Sequence, residues 1–178
     1  MKPKHLRVAL VAAAAMSFMP FVASAFDYNY VEGGYLHRDN DLSDEGGFRL
    51  AGAFDIAPNI GVFGEYDNVS SYDQFTAGLQ YHAPINNDLD FTAGASVEHF
   101  TGAGDSNTGL GLRAGVRWDI VPGQWELNPE LRYIRIDGEN LTSARVGGLY
   151  HINKNFAVNA ALQGGDDDRV EAGLRYSF

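Results

Sequence analysis

The chain has 178 residues, 13 Lys and Arg against 23 Asp and Glu, a net charge of −10 and no cysteine. So acidic a composition argues against a nucleic-acid partner, which needs a basic patch, and the lack of cysteine excludes a disulfide framework. The length suits one domain.

The N-terminus "MKPKHLRVALVAAAAMSFMPFVASA" has a basic start (Lys2, Lys4, Arg7), an apolar stretch from Val8 to Met19, and the small-x-small site Ala23-Ser24-Ala25. This pattern predicts a Sec signal peptide over residues 1–25, cut before Phe26, because the apolar stretch is shorter than the roughly 20 residues a spanning helix needs. Its removal would leave 153 residues with a net charge of −13 and Lys154 as the only lysine. No helix-length apolar segment follows. The negative mean hydropathy does not argue for a soluble protein, since strands that cross a membrane alternate apolar and polar residues.

From there the chain reads at period two, the strand period. A first run covers 28–36. "GFRLAGAFDIA" sets Phe48, Leu50, Phe54 and Ile56 against Arg49 and Asp55. A run at 60–66 carries Glu65. "DQFTAGLQYH" sets Phe75, Leu79 and Tyr81 against Gln74, Thr76 and His82; "LDFTAGASVEHF" sets Leu89, Phe91 and Val97 against Asp90 and Glu98. "GLGLRAGVRW" sets Leu110, Leu112, Val116 and Trp118 against Arg113 and Arg117, and "WELNPELRY" sets Trp125, Leu127 and Leu131 against Glu126, Glu130 and Arg132. Runs at 143–151, 156–163 and 169–178 complete ten. The connectors alternate too. "APN", "APINND", "DIVPGQ" and "INKN" are short and rich in turn formers, whereas "HRDNDLSDEG", "DNVSS", "TGAGDSN", "DGENLT" and "GGDDD" are polar and mostly acidic. The expected fold is all-β: a closed antiparallel up-and-down transmembrane barrel of ten strands, with eight as the alternative.

The polar face decides which side meets lipid. It holds Glu32, Asp55, Glu65, Asp90, Glu98, Glu126, Glu130 and Glu171 with Arg49, Arg113, Arg117, Arg132, Arg145 and Arg175. A water-facing wall would be rich in lysine. A near balance of acids and arginines points to an enclosed lattice of ion pairs, and so to lipid on the apolar side.

The end "VEAGLRYSF" places Val170, Ala172, Leu174, Tyr176 and Phe178 on one face. With the terminal aromatic Phe178 and Tyr176 two before it, "GLRYSF" resembles the C-terminal signal of Gram-negative outer-membrane barrels. That resemblance implies recognition of Leu174, Tyr176 and Phe178 by the barrel assembly machinery, transit with periplasmic chaperones, and residence in the outer membrane among lipid and lipopolysaccharide. The stretch "YNYVEGGY" further resembles a family of small outer-membrane barrels regulated by a diffusible signal factor. It brings no catalytic residues and no cofactor.

A monomeric, non-enzymatic barrel with an envelope-structural or surface-interaction role is therefore expected, with a narrow channel for ions or small polar solutes as the alternative. A surface hydrolase or lipid-modifying enzyme has one candidate base, His99, near Glu98, Asp105 and Ser106, with no defining motif around it. His82, His151 and Lys154 fall at the periplasmic mouth, where solvation is expected. Asp39, Asp41, Asp166, Asp167 and Asp168 are weak candidates for divalent cations, lacking the glycine and the final glutamate of a calcium loop. Around "DIVPGQ", a constant sum of 243 would oppose Trp118 to Trp125, Arg117 to Glu126 and Arg113 to Glu130, placing both tryptophans at the periplasmic headgroup level.

Overall fold

The computed structural model describes residues 26–40, 43–70, 72–102 and 104–178. The expected signal peptide and Asp41 lie outside the described residues. Ten strands follow in chain order: β1 (Tyr30–Asn40), β2 (Ser43–Ala57), β3 (Ile60–Val69), β4 (Tyr72–Asn86), β5 (Leu89–Gly102), β6 (Asp105–Val121), β7 (Trp125–Ile136), β8 (Glu139–His151), β9 (Phe156–Gly165) and β10 (Asp168–Ser177). Each pairs antiparallel with its neighbours in sequence, and β1 pairs with β10 to close the barrel. Among the described residues no sheet edge is left open, the condition for crossing lipid with strands.

The polarity is inverted relative to a water-soluble barrel. Phe48, Leu50, Phe54, Phe75, Leu79, Leu112, Leu131, Val146, Leu162 and Leu174 are exposed on the outer wall, while the buried set is mostly charged or polar. The ten-strand expectation and its inside-out assignment hold. At the seam between β1 and β10 the backbones come so close that a Cβ on Gly34 would lie 2.2 Å from the Ala172 carbonyl oxygen, so only glycine fits there.

Two expectations need correction. The acidic stretches at the outer end are not loops. β1, β2 and the strands after them run on through most of "HRDNDLSDEG" and "TGAGDSN", and "DGENLT" reduces to a tight turn in which Asp137 and Gly138 have φ of 50° and 83°, the left-handed pair of a primed hairpin turn. The strands continue because backbone pairing does not require an apolar face once they have left the lipid.

The second correction is the β6–β7 register. Trp118 opposes Leu127, Arg113 opposes Arg132 and Gly115 opposes Glu130, with a bulge between Asp119 and Val121. β6 runs on to Val121, which opposes Trp125 across the three residues Pro122, Gly123 and Gln124. The Asp119 carboxylate accepts from the Gly123 amide at 2.9 Å and the Val121 carbonyl from the Gln124 amide at 2.8 Å, so the hairpin turns later than the hydrophobic pattern suggests. The shift along the strands is two residues, and an even shift keeps every side chain on its face. Trp118 and Trp125 thus remain outside at the same end, each 48% exposed. Trp125 packs on Tyr150 at 4.8 Å between ring centroids rather than on Trp118.

Candidate functional site

The lumen holds three tiers of charge. In the middle tier, Glu65 of β3 accepts from Arg113 at 2.6 Å and lies 3.2 Å from Arg49 and 3.5 Å from Arg132, three arginines from three other strands. Glu32 takes Arg49 at 2.7 Å and Arg175 at 2.8 Å. Arg145 donates to Glu171 at 2.6 Å and Arg132 to Glu130 at 2.5 Å. The expected Arg113–Glu130 pair does not form, because the two-residue shift sets Arg132 opposite Arg113 instead. Arg113 also lies over the Phe63 ring at 4.1 Å, and Arg175 over Tyr30 at 3.8 Å, which favours the cation electrostatically.

At the periplasmic mouth, Arg117 makes a two-pronged pair with Glu126 at 2.6 and 2.9 Å, although the two residues are not directly opposed. The segment preceding β1 folds into this mouth. Tyr28 is buried, stacks on His82 at 3.7 Å between centroids and donates its hydroxyl to Asp90 at 3.0 Å. Arg117 lies over the Tyr28 ring at 4.5 Å and donates to the Asp27 carbonyl at 2.8 Å. Burial pushes the Tyr28 phenol far above its ordinary range; Arg117 opposes the shift and Asp90 adds to it, so Tyr28 stays a donor. His82 is not solvated as expected: it is buried and its Nε2 lies 3.1 Å from Asp55. His151 is half-buried, 3.6 Å from Glu126.

Towards the outer end lies a tier the sequence reading missed. Arg38 and Arg169, directly opposed across the seam, both donate to Asp167, Arg38 through Nε at 2.5 Å and Nη2 at 2.8 Å, Arg169 through Nε at 2.6 Å. Arg169 also donates to Asp67 at 2.6 Å, and both arginines donate to the Gln74 side-chain oxygen at 2.9 Å. Glu98 accepts from Gln74, Thr76 and Ser96. Burial alone would raise the Asp167 carboxyl, but Arg169 and Arg38 hold it well below the usual carboxylate range.

The remaining candidates do not converge. Asp166 caps the Thr142 amide at 2.7 Å, Asp168 accepts from the Gly165 amide at 2.9 Å, and Asp39 is exposed opposite Asp168. Among the described residues no group of three or more His, Asp or Glu is placed to hold a metal. His99 faces outward, away from inward-facing Glu98, with its ring nitrogens at 2.8 Å from Thr108 and 3.3 Å from Thr101. Leu174, Tyr176 and Phe178 line the outer wall, with Tyr176 between Phe156 and Phe178.

Little space is left among these tiers. The central void is about 90 Å³, lined by Arg49, Arg113, Arg117, Arg132, Arg145 and Arg175 with Glu32, Glu65 and Glu130, among others. A second void of about 20 Å³ lies beside Arg38, Gln74 and Glu98. Such volumes hold a few waters.

No family model and no curated protein matches the chain in sequence. In three dimensions it is similar to the KdgM porin, with 15% identity and a TM-score of 0.56 over 84% of this chain and 99% of that one. It is similar also to the KdgM porin in complex with disordered oligogalacturonate, with 13% identity and a TM-score of 0.52 over 86% and 99%. The Yersinia pestis outer membrane protein Ail aligns at 12% identity and a TM-score of 0.46 over 86% and 100%. At these identities the likeness is one of fold. With its apolar wall outside and its charges enclosed, the chain has the fold and the polarity of an outer-membrane β-barrel.

Proposed function

We propose that the protein is a non-enzymatic, monomeric barrel whose role is envelope-structural or surface-interacting, and that its lumen is occluded rather than open. The observation that carries this reading is the crossing of the lumen by arginine–carboxylate contacts at three levels, with a central void of only about 90 Å³. Ten strands stand close to the eight at which side chains just fill a barrel, far from the sixteen that leave an aqueous channel. His99, the candidate base, lies outside the barrel with threonines as its partners, which supports a role without catalysis. In this reading Leu174, Tyr176 and Phe178 form the strand recognised by the barrel assembly machinery after transit with periplasmic chaperones. The "YNYVEGGY" stretch of 28–35 supports a place among the small barrels regulated by a diffusible signal factor.

One observation favours a second reading, a narrow ion path: six arginines against three glutamates line the central void. Recordings in planar bilayers separate the two. Occlusion predicts no resolved conductance steps in the unaltered protein; steady steps with anion selectivity under a salt gradient would establish the narrow path instead.

A further inference from the structure

Residues 26–178 hold nine arginines. Eight of them face the lumen or its mouths, as the contacts above describe. Arg135 alone lies on the outer wall, at the exposed outer end of β7, and it has no carboxylate partner among the described residues. It is not randomly placed. Arg135 is directly opposed to Leu110 of β6, which is directly opposed to Val97 of β5, and on its other side to Asn140 of β8. These residues make one row across three neighbouring strands and the edge of a fourth, slanted by the tilt of the strands. Leu110 is 67% exposed, and Val97, Thr108, Leu110 and Arg135 line an outward groove of about 410 Å³ that ends at the Asp137–Gly138 turn.

The height of this row follows from strand geometry. Trp125 marks the periplasmic interface, and Arg135 lies ten residues further along β7. At about 3.3 Å per residue and a tilt of about 40°, the vertical separation is about 25 Å, the height of the apolar band of an outer-membrane barrel. Tyr133, one row below, donates its hydroxyl to Asn140 at 2.7 Å, as an aromatic at a headgroup boundary does. An unpaired guanidinium therefore stands at the outer-leaflet phosphate level, above a floor of Leu110 and Val97 that continues down through Leu112.

We propose that this groove binds lipid A, the phosphorylated glycolipid of the outer leaflet, with Arg135 on a phosphate and an acyl chain along Val97, Leu110 and Leu112. Guanidinium forks match phosphate oxygens, and the groove supplies the apolar track that a free phosphate would not use. The proposal rests on the outer-membrane reading, which fixes the Asp137–Gly138 end as the outer one. Asp137 stands at the aqueous edge of the groove, where its like charge weakens phosphate binding.

The test uses the mature barrel folded in detergent micelles and titrated with bis-phosphorylated lipid A, dephosphorylated lipid A and phosphatidylglycerol, with bound lipid read by native mass spectrometry. Arg135→Ala should bind bis-phosphorylated lipid A about tenfold more weakly, Arg135→Lys should recover part of the loss, and Asp137→Asn should bind it more tightly. Equal binding by Arg135→Ala and the unaltered protein would overturn the proposal, as would equal uptake of dephosphorylated lipid A. Phosphatidylglycerol bound as tightly, through the same arginine, would overturn the assignment to lipid A. A heat-modifiability gel on each sample, with fractionation of cells that express the protein, separates the two levels of failure. Folded barrels indifferent to Arg135 defeat this site alone, whereas a chain recovered from the soluble periplasm defeats the outer-membrane reading with it.

Discussion

Arg38 and Arg169 stand directly opposite each other across the β1–β10 seam, and Asp167 reaches between them to take hydrogen bonds from both. Two guanidinium groups in such positions would repel. The carboxylate from the adjoining turn converts the repulsion into a clasp on the outer end of the closure.

Asp167→Asn should therefore destabilise the barrel by roughly 3–5 kcal/mol, towards the lower value because Arg169 keeps Asp67 and both arginines keep Gln74. Reversible urea unfolding in lipid or detergent measures it. The pH dependence has a definite sign. The folded-state Asp167 carboxyl is depressed, so its contribution is complete above the unfolded value of about 3.9 and is lost as pH falls below it. The variant should lack that acid-side slope; an unchanged slope would remove Asp167 as its source.

Glu65 should matter more than any one of its arginines. Arg113→Ala leaves Glu65 with Arg49 and Arg132, whereas Glu65→Ala strips Arg113 of its carboxylate and leaves Arg49 and Arg132 with Glu32 and Glu130 to offset three neighbouring guanidinium groups. The loss for Glu65→Ala is expected at or above about 3–5 kcal/mol and that for Arg113→Ala below it. Unfolding midpoints that rank the two the other way would contradict the shared-carboxylate arrangement.

Tyr28 is the stopper of the periplasmic mouth. Tyr28→Phe keeps the ring between Arg117 and His82 and should lose only the hydrogen bond to Asp90, about 1 kcal/mol. Tyr28→Ala removes the ring and should destabilise the barrel by about 3–5 kcal/mol, as truncation of a buried aromatic does, without opening a conducting path, because the middle and outer tiers still cross the lumen. Unfolding midpoints that leave the alanine variant as stable as Tyr28→Phe would contradict a packed ring at this mouth.

Phe178→Ala should impair assembly more than the finished fold. The ring is exposed on the outer wall and contacts Tyr176 at 6.2 Å, so its burial in lipid contributes about 1.5–3 kcal/mol. Reduced surface levels together with a nearly unchanged unfolding midpoint are expected; normal surface levels would argue against a recognition role.

The strand count and the two faces are legible in the sequence because lipid imposes an apolar residue at every second position. The register is not. Pairing Trp118 with Trp125 and pairing Trp118 with Leu127 satisfy the same alternation, and the choice is made by Asp119 and Gly123 in the turn. The outer tier escaped for a related reason. Arg38 and Asp67 lie where both faces of a strand are polar, so composition reads them as loop, and Arg169 stands first in the run 169–178 beside the acidic turn, where its inward parity goes unnoticed. Extending the parity of Glu32, Glu65 and Glu171 by six, two and two positions would have set all three in the lumen. His82 shares the inward parity of Gln74 and Thr76, but its burial depends on Tyr28, which no local pattern assigns to the mouth.

The seam has a kinetic meaning as well. Tyr30 pairs with Ser177, a partner 147 positions away, whereas every other strand finds its neighbour through a short turn. Relative to a three-residue turn, closing so long a loop costs about 3 kcal/mol more in chain entropy. The ring therefore closes last, after nine local pairings have aligned its two ends. In reverse, parting the first and last strands breaks a whole ladder, with Asp167 and its two arginines at one end, before the chain regains that freedom. The survival of such a protein in the envelope is then set by how slowly it opens rather than by how much its folded state is favoured.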